Sequence, residues 1–129
     1  MDVFVYGTLT DHATTGAILD EYEYRGAAEL VGLHRVDGRY PTLAPGGTTA
    51  GRILATPEIA ALDAYEGVDR GLYCRLPIPV ADGGDTVQLY VGDPAALNAP
   101  VDWPGDGPFS ARVERFCDRN GVTVRRSTE

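Results

Sequence analysis

The sequence has no lysine, so all 11 basic residues are arginine, set against 19 acidic residues for a formal net charge of −8. A surface with that balance repels nucleic acid and anionic membrane, which removes both classes of partner. Lysine depletion in an acidic chain has two competing origins, adaptation to a high-salt cytoplasm and codon bias between Lys and Arg, and composition does not separate them. Cysteine is almost as scarce. Cys74 and Cys117 are the whole complement and lack CxxC spacing, so a disulfide scaffold is excluded and both read as free thiols. The two histidines, His12 and His34, have no companions at metal-ligand spacing, which argues against structural zinc. No apolar run approaches the roughly 20 residues of a membrane span, and no basic, apolar, small-residue leader opens the chain. These absences predict a cytoplasmic protein without nucleic-acid or membrane partners; separately, it is expected to be a monomer and to use no cofactor.

What remains is a 129-residue chain with 43% hydrophobic residues, a length that suits one domain over residues 1–129. Its opening run, Val3-Phe4-Val5-Tyr6-Gly7-Thr8-Leu9, organises the reading. The Val, Phe and Tyr content is that of a strand, and Gly7 permits a sharp turn. Thr8 and Asp11 have capping-box spacing, which predicts a helix over about residues 11–21. The backbone N–H groups of such a strand-to-helix turn form a concavity suited to a carboxylate or a developing oxyanion. An ordinary turn followed by a capped helix fits the same residues.

Further along, residues 24–36 read as one bent strand with Gly26 and Gly32 as bends or bulges. Asp37-Gly38 marks a turn, a short segment from Tyr40-Pro41 closes at Pro45-Gly46-Gly47, and residues 48–55 form another strand. Thr56 as N-cap, Pro57 at the first helical position and Gly67 as the stop delimit a second helix over residues 57–66. Residues 71–80 and 86–91 form a hairpin about a turn at Asp82-Gly83-Gly84, and 92–108 is a loop around Trp103. A last helix covers residues 109–119, with Val113, Phe116 and Cys117 on one face, before a short extended tail at 122–124. The order β, α, β, β, α, β, β, α lacks regular βαβ alternation and points to an α+β fold with a mainly antiparallel, barrel-like sheet.

On the second helix Ile59, Leu62, Asp63 and Glu66 share one face at 100° per residue. A carboxylate on a core-facing stripe has either a raised pKa or a dedicated partner, and such groups are acid/base candidates. The competing reading has the helix fray before Gly67, leaving Glu66 in water. Cys74 shares an alternating face with Leu72, Leu76, Ile78 and Val80, which makes it a core residue rather than a nucleophile.

Tyr6-Gly7-Thr8-Leu9, then Leu62-Asp63-Ala64-Tyr65-Glu66-Gly67, then Tyr73-Cys74-Arg75 resemble the γ-glutamylcyclotransferase-like, or AIG2-like, family. Tyr40-Pro41 and Tyr90-Val91 are similar to two further family segments, and the resemblance runs from residue 3 to about Trp103. It implies a small β-barrel with flanking helices and a pocket where the Tyr6–Leu9 loop meets Glu66. It also implies an enzyme with lyase or acyltransferase chemistry that cyclises a γ-glutamyl group to 5-oxoproline, with Glu66 as general acid/base. The substrate's own α-amine is then the nucleophile, so the missing catalytic triad and metal do not count against the activity. Expected around the substrate are the N–H groups of Gly7, Thr8 and Leu9 and the side chains of Tyr6, Tyr40, Tyr73 and Tyr90. Arg75 is expected in a structural ion pair, Asp63 as a hydrogen-bonding support for the first-strand loop, and Trp103 as a lid or packing residue. Two alternatives share the pocket: a non-catalytic binding module for a small metabolite, and a hydrolase or acyltransferase that removes a γ-glutamyl cap.

Overall fold

The computed structural model describes residues 1–81 and 83–127, so the Asp82 part of the expected 82–84 turn lies outside the described residues. Its six strands are β1 (Asp2–Val5), β2 (Glu23–Asp37), β3 (Pro41–Ala55), β4 (Tyr73–Pro79), β5 (Thr86–Gly92) and β6 (Thr123–Arg126). The helices are α1 (His12–Ile18), α2 (Ile59–Glu66), the one-turn α3 (Pro94–Leu97) and α4 (Phe109–Asn120), with 3₁₀ turns at Thr8–Thr10 and Val68–Arg70.

The strands lie in the order β4-β5-β1-β3-β2-β6. Every pairing is antiparallel except that of β1 with β5, which makes the sheet mixed. Its two edges approach each other through a bridge between Val80 and Val124, with the Ala81 N–H donating to the Val124 carbonyl at 2.9 Å. The sheet therefore curls into a half-barrel with helices on its flanks, the α+β, mainly antiparallel architecture expected from the element order.

Central placement explains the composition of β1. Phe4 packs inside the half-barrel with Leu30, Ile53 and Leu89, while its neighbours Val3 and Val5 face the opposite way, towards Leu54, Leu62 and Leu97. A strand buried on both faces reads as continuous hydrophobicity. Gly51 on β3 allows this strand to sit close, because a Cβ there would overlap the Val5 carbonyl oxygen and come within 2.6 Å of the Phe4 ring. In β2 the register breaks fall between Tyr24 and Ala27 and between Val31 and Leu33. The glycines within them, Gly26 and Gly32, have φ of 101° and 109°, the left-handed conformation in which bulges favour glycine.

Several boundaries differ from expectation. Residues 41–55 form one strand, because the Pro45-Gly46-Gly47 interruption is absorbed as a bulge against β2 without ending the pairing. α1 is shorter than 11–21 and starts one residue later, since Leu19 leaves the helix in an extended conformation. Its cap is Asp11, whose carboxylate accepts the Thr14 N–H at 3.0 Å; Thr8 has no capping role. α2 begins at Ile59, after the Thr56 hydroxyl accepts the Glu58 N–H at 3.1 Å. The loop after β5 contains α3, capped by Asp93, and the tail at 122–124 becomes β6, which pairs with β2. Trp103 is a packing residue with 2% exposure, edge-on to Phe109 and Phe116. Among the described residues no helix is long and apolar enough to cross a membrane.

Candidate active site

At the end of β1 the chain leaves the sheet through Tyr6 and Gly7 and enters the Thr8–Thr10 turn. Each carbonyl of this loop is occupied. Tyr6 O accepts from the Arg35 guanidinium at 3.0 Å, and Gly7 O accepts from the Thr10 N–H and hydroxyl. Thr8 O accepts from the Asp11 N–H, Leu9 O from the Thr15 and Tyr24 hydroxyls, and Thr10 O from Arg52 at 2.9 Å. The N–H groups of Gly7, Thr8 and Leu9, by contrast, find no acceptor among the described residues. Three unspent donors in one turn, in residues that line a cavity, make a place for an anionic oxygen. Gly7 itself has φ −122°, and a Cβ there would stand 3.6 Å from Pro41 across the cavity wall.

Facing that turn is a cavity of about 320 Å³. Gly7, Thr8 and Leu9 line it together with Tyr6, Tyr73, Tyr90 and Glu66, and Tyr40, an exposed residue, borders it at the mouth. Every residue expected at the site thus borders one hollow. Glu66 is the last residue of α2, and Gly67 terminates the helix at φ 71°. The glutamate remains on the inward stripe with Leu62, which is fully buried, so the fraying alternative does not apply. Its carboxyl has no hydrogen-bond or ion-pair partner among the described residues, and burial pushes its pKa up to about 7. An acid with that pKa can both take up and release a proton near neutral pH.

The tyrosines are held by their hydroxyls. Tyr6 donates to Tyr90 O at 2.7 Å, Tyr73 to Pro41 O at 2.5 Å and Tyr90 to Asp63 Oδ1 at 2.7 Å. Burial raises all three phenol pKa values, with Glu66 adding to the effect, so these hydroxyls stay protonated and serve as walls and fixed dipoles. Asp63 accepts from Arg75 Nε at 2.8 Å, the ion pair expected of Arg75. Asp63 does not support the first-strand loop as expected; one turn before Glu66 on α2, it is turned towards β4 and β5 and fixes Tyr90 instead.

Six lining residues were not expected at the site: Phe4, Val5, Pro41, Tyr65, Arg70 and Leu72. Tyr65 shares a 2.9 Å hydrogen bond with the Thr8 hydroxyl, which ties α2 to the turn after β1. The signal for Tyr65 was its place beside Glu66; for Arg70 there was none, since the reversal at Gly67 destroys helical periodicity. Cys74 packs against the half-barrel core with its thiol pushed up to about 11 by burial, far from a reactive thiolate. Among the described residues no group of His, Cys, Asp or Glu is placed to hold a metal ion.

Comparison with known proteins agrees with this fold. The model of the family described as gamma-glutamyl cyclotransferase, AIG2-like matches residues 3–106. Among solved structures, one titled gamma-glutamyl cyclotransferase is similar at 16% identity and TM-score 0.63, over 93% of this chain and 79% of that one. An uncharacterized human protein aligns at 17% identity and TM-score 0.63 over the same shares. An Arabidopsis thaliana protein aligns at 26% identity and TM-score 0.54, over 93% of this chain and 84% of its own. No curated protein matches the sequence.

Proposed function

Because the chain belongs to the gamma-glutamyl cyclotransferase, AIG2-like family, we propose that it converts the γ-glutamyl group of a small γ-glutamyl amine, peptide or thiol to 5-oxoproline and releases the amine. One observation carries the reading: a carboxyl without a partner, its pKa near 7, shares a 320 Å³ cavity with three unpaired backbone N–H groups.

The chemistry follows from the substrate. Its α-nitrogen attacks its own γ-carbonyl carbon, the new C–N bond closes a five-membered ring, and the amide C–N bond to the leaving nitrogen breaks. Two protons leave the α-ammonium as the ring N–H forms, and the departing nitrogen gains both, so the ammonium charge moves from one to the other. Glu66, ionised, takes a proton from the α-ammonium and delivers it to the leaving nitrogen. The amides of Gly7, Thr8 and Leu9 hold an anionic oxygen of the glutamyl part, either the carbonyl oxygen as charge builds or the α-carboxylate. The tyrosine walls exclude water and hold the chain folded on itself, and a well-oriented intramolecular attack has an effective molarity of about 10⁵–10⁸ M. An intramolecular acyl transfer with proton movement calls for no metal, nucleotide or redox cofactor.

The test is to incubate the protein with a panel of γ-glutamyl amines, amino acids and thiol peptides and follow 5-oxoproline by mass spectrometry. Glu66→Gln is expected to lower the rate by about 10²–10⁴ while the protein stays folded. Free glutamate in place of 5-oxoproline would assign a hydrolase, and saturable binding without turnover would assign a binding module.

A further inference from the structure

The cavity has two charged lining residues, Glu66 and Arg70, and they do not pair. Nothing lowers the Glu66 pKa, as a guanidinium against it would. Arg70 closes the 3₁₀ turn Val68–Arg70, and its Nη2 lies 3.0 Å from where a Cβ on Gly67 would stand. The guanidinium is therefore folded back over the residue after Glu66, at the rim. Among the described residues its side chain makes no ion pair and no hydrogen bond, which is true also of Arg39 and Arg119, whereas Arg25, Arg35, Arg75, Arg125 and Arg126 each take a carboxylate. Of the three arginines without any side-chain partner, Arg70 is the one that lines the cavity holding Glu66, and there it is positioned for an anion from outside.

The same rim carries exposed aromatic surface. Three large hydrophobic residues are exposed among the described residues, Met1, Tyr40 and Tyr65, and the last two border this cavity. Tyr40 comes from the β2–β3 connection, which is pinned to α3 where Arg39 N–H donates to Leu97 O at 2.7 Å. Tyr65 is pinned by Thr8. Both rings thus stand on fixed supports at the mouth, where they favour an apolar body over water.

We propose that Arg70, flanked by Tyr40 and Tyr65, is a specificity-determining residue that reads the released part of the substrate, selecting γ-glutamyl compounds whose released amine carries a carboxylate beside an apolar group. The inference rests on the reading of the cavity as a γ-glutamyl site. With the α-ammonium at Glu66, the opposite end of the molecule extends to the rim, where the guanidinium takes the carboxylate through charge-assisted hydrogen bonds. A γ-glutamyl compound whose released part is a polyamine would bring a cation to that guanidinium and is disfavoured.

The decisive comparison uses γ-glutamyl-L-phenylalanine and γ-glutamyl-phenethylamine, which differ only in the carboxylate. Affinities are measured by calorimetry in the Glu66→Gln background with Arg70 intact, then with Arg70→Gln and Arg70→Lys. With Arg70 intact the carboxylated compound is expected to bind about five- to tenfold tighter, a ratio that shrinks with added salt, falls to about one in Arg70→Gln and partly returns in Arg70→Lys. A ratio near one with Arg70 intact, or one unaffected by Arg70→Gln, overturns the assignment. Formation of 5-oxoproline by the wild-type protein is scored separately. Its absence from both compounds counts against the proposed reaction while the affinity ratio still decides the role of Arg70, and equal affinities with 5-oxoproline formed leave the reaction standing without that role.

Discussion

Glu66 carries a stability cost that comes from the same burial on which its proposed proton-transfer role rests. In the unfolded chain its carboxyl titrates near the ordinary value of 4.5, and in the fold burial pushes it up to about 7. Below about pH 4.5 it is protonated in both states and costs nothing. Between the two values the unfolded chain ionises first, so folding takes up a proton and stability falls as pH rises; above about 7 the full penalty remains. At 1.36 kcal/mol for each pH unit separating the two values, the penalty is about 3 kcal/mol at most, and access of water to the cavity reduces it to about 1–3 kcal/mol. Glu66→Gln should therefore be more stable than wild type by that amount at pH 8 and equal to it at pH 4, as measured by urea unfolding at the two values. Carbon-detected NMR titration of the Glu66 carboxyl should show its midpoint near 7, and a midpoint below 5 would remove the group from proton transfer.

At the scale of elements, the cavity depends on α2 being held against β4 and β5. Asp63 does this through Arg75 and Tyr90, with Asp63 and Arg75 about a quarter exposed. Asp63→Ala leaves the largely buried Arg75 guanidinium with Gln88 Oε1 as its remaining side-chain oxygen acceptor and the buried Tyr90 phenol without one, at an expected cost of about 2–3 kcal/mol in chemical denaturation. Because Tyr90 loses its anchor, KM should rise as well. In the adjoining strands, Gly51→Ala would drive a methyl group into the Val5 carbonyl and the Phe4 ring, prising β3 from β1 just before the Gly7 turn. Thermal unfolding should show a loss of about 3 kcal/mol or more; a near-neutral result would mean that β1 has room to move.

Local patterns reached the elements but not their partners. The Val-Phe-Val run, the Gly26 and Gly32 bulges and the Gly67 stop were legible because each rests on the conformational preference of one or two residues. So was the inward Glu66, because the stripe it shares with Leu62 is a matter of angle along one helix. Hidden from sequence were the parallel pairing of β1 with β5 and the closure of β6 on β2, both of which join distant segments. The capping expectation failed for a related reason. Thr8 has the right spacing, but the chain forms a 3₁₀ turn first, Asp11 takes the cap, and the Thr8 hydroxyl is drawn to Tyr65 on another element.

For the molecule as a whole, charge is the dominant surface property. Eleven arginines cannot neutralise 19 acids, and the ion pairs are mostly exposed ones of small individual worth. The excess repels itself in the compact state, and salt relieves it, since the screening length falls from about 30 Å at 0.01 M to about 3 Å at 1 M. Unfolding followed by circular dichroism should show the melting temperature rising by several degrees over that range, on the order of 1 kcal/mol; a falling temperature would indicate that its ion pairs outweigh the net repulsion. The field also bears on the role proposed for Arg70, a cation without an ion-pair partner among the described residues that lines the cavity beside β1.

The most direct test of the account is the pH dependence of kcat/KM for 5-oxoproline release. With wild type, an acid limb inflecting near pH 7 is expected, reporting ionisation of Glu66 in the free enzyme, and Glu66→Gln should abolish that limb together with most of the rate. Release of 5-oxoproline that is unaffected by pH between 5 and 8, or that persists in Glu66→Gln, would contradict the assignment of the proton transfer to this residue.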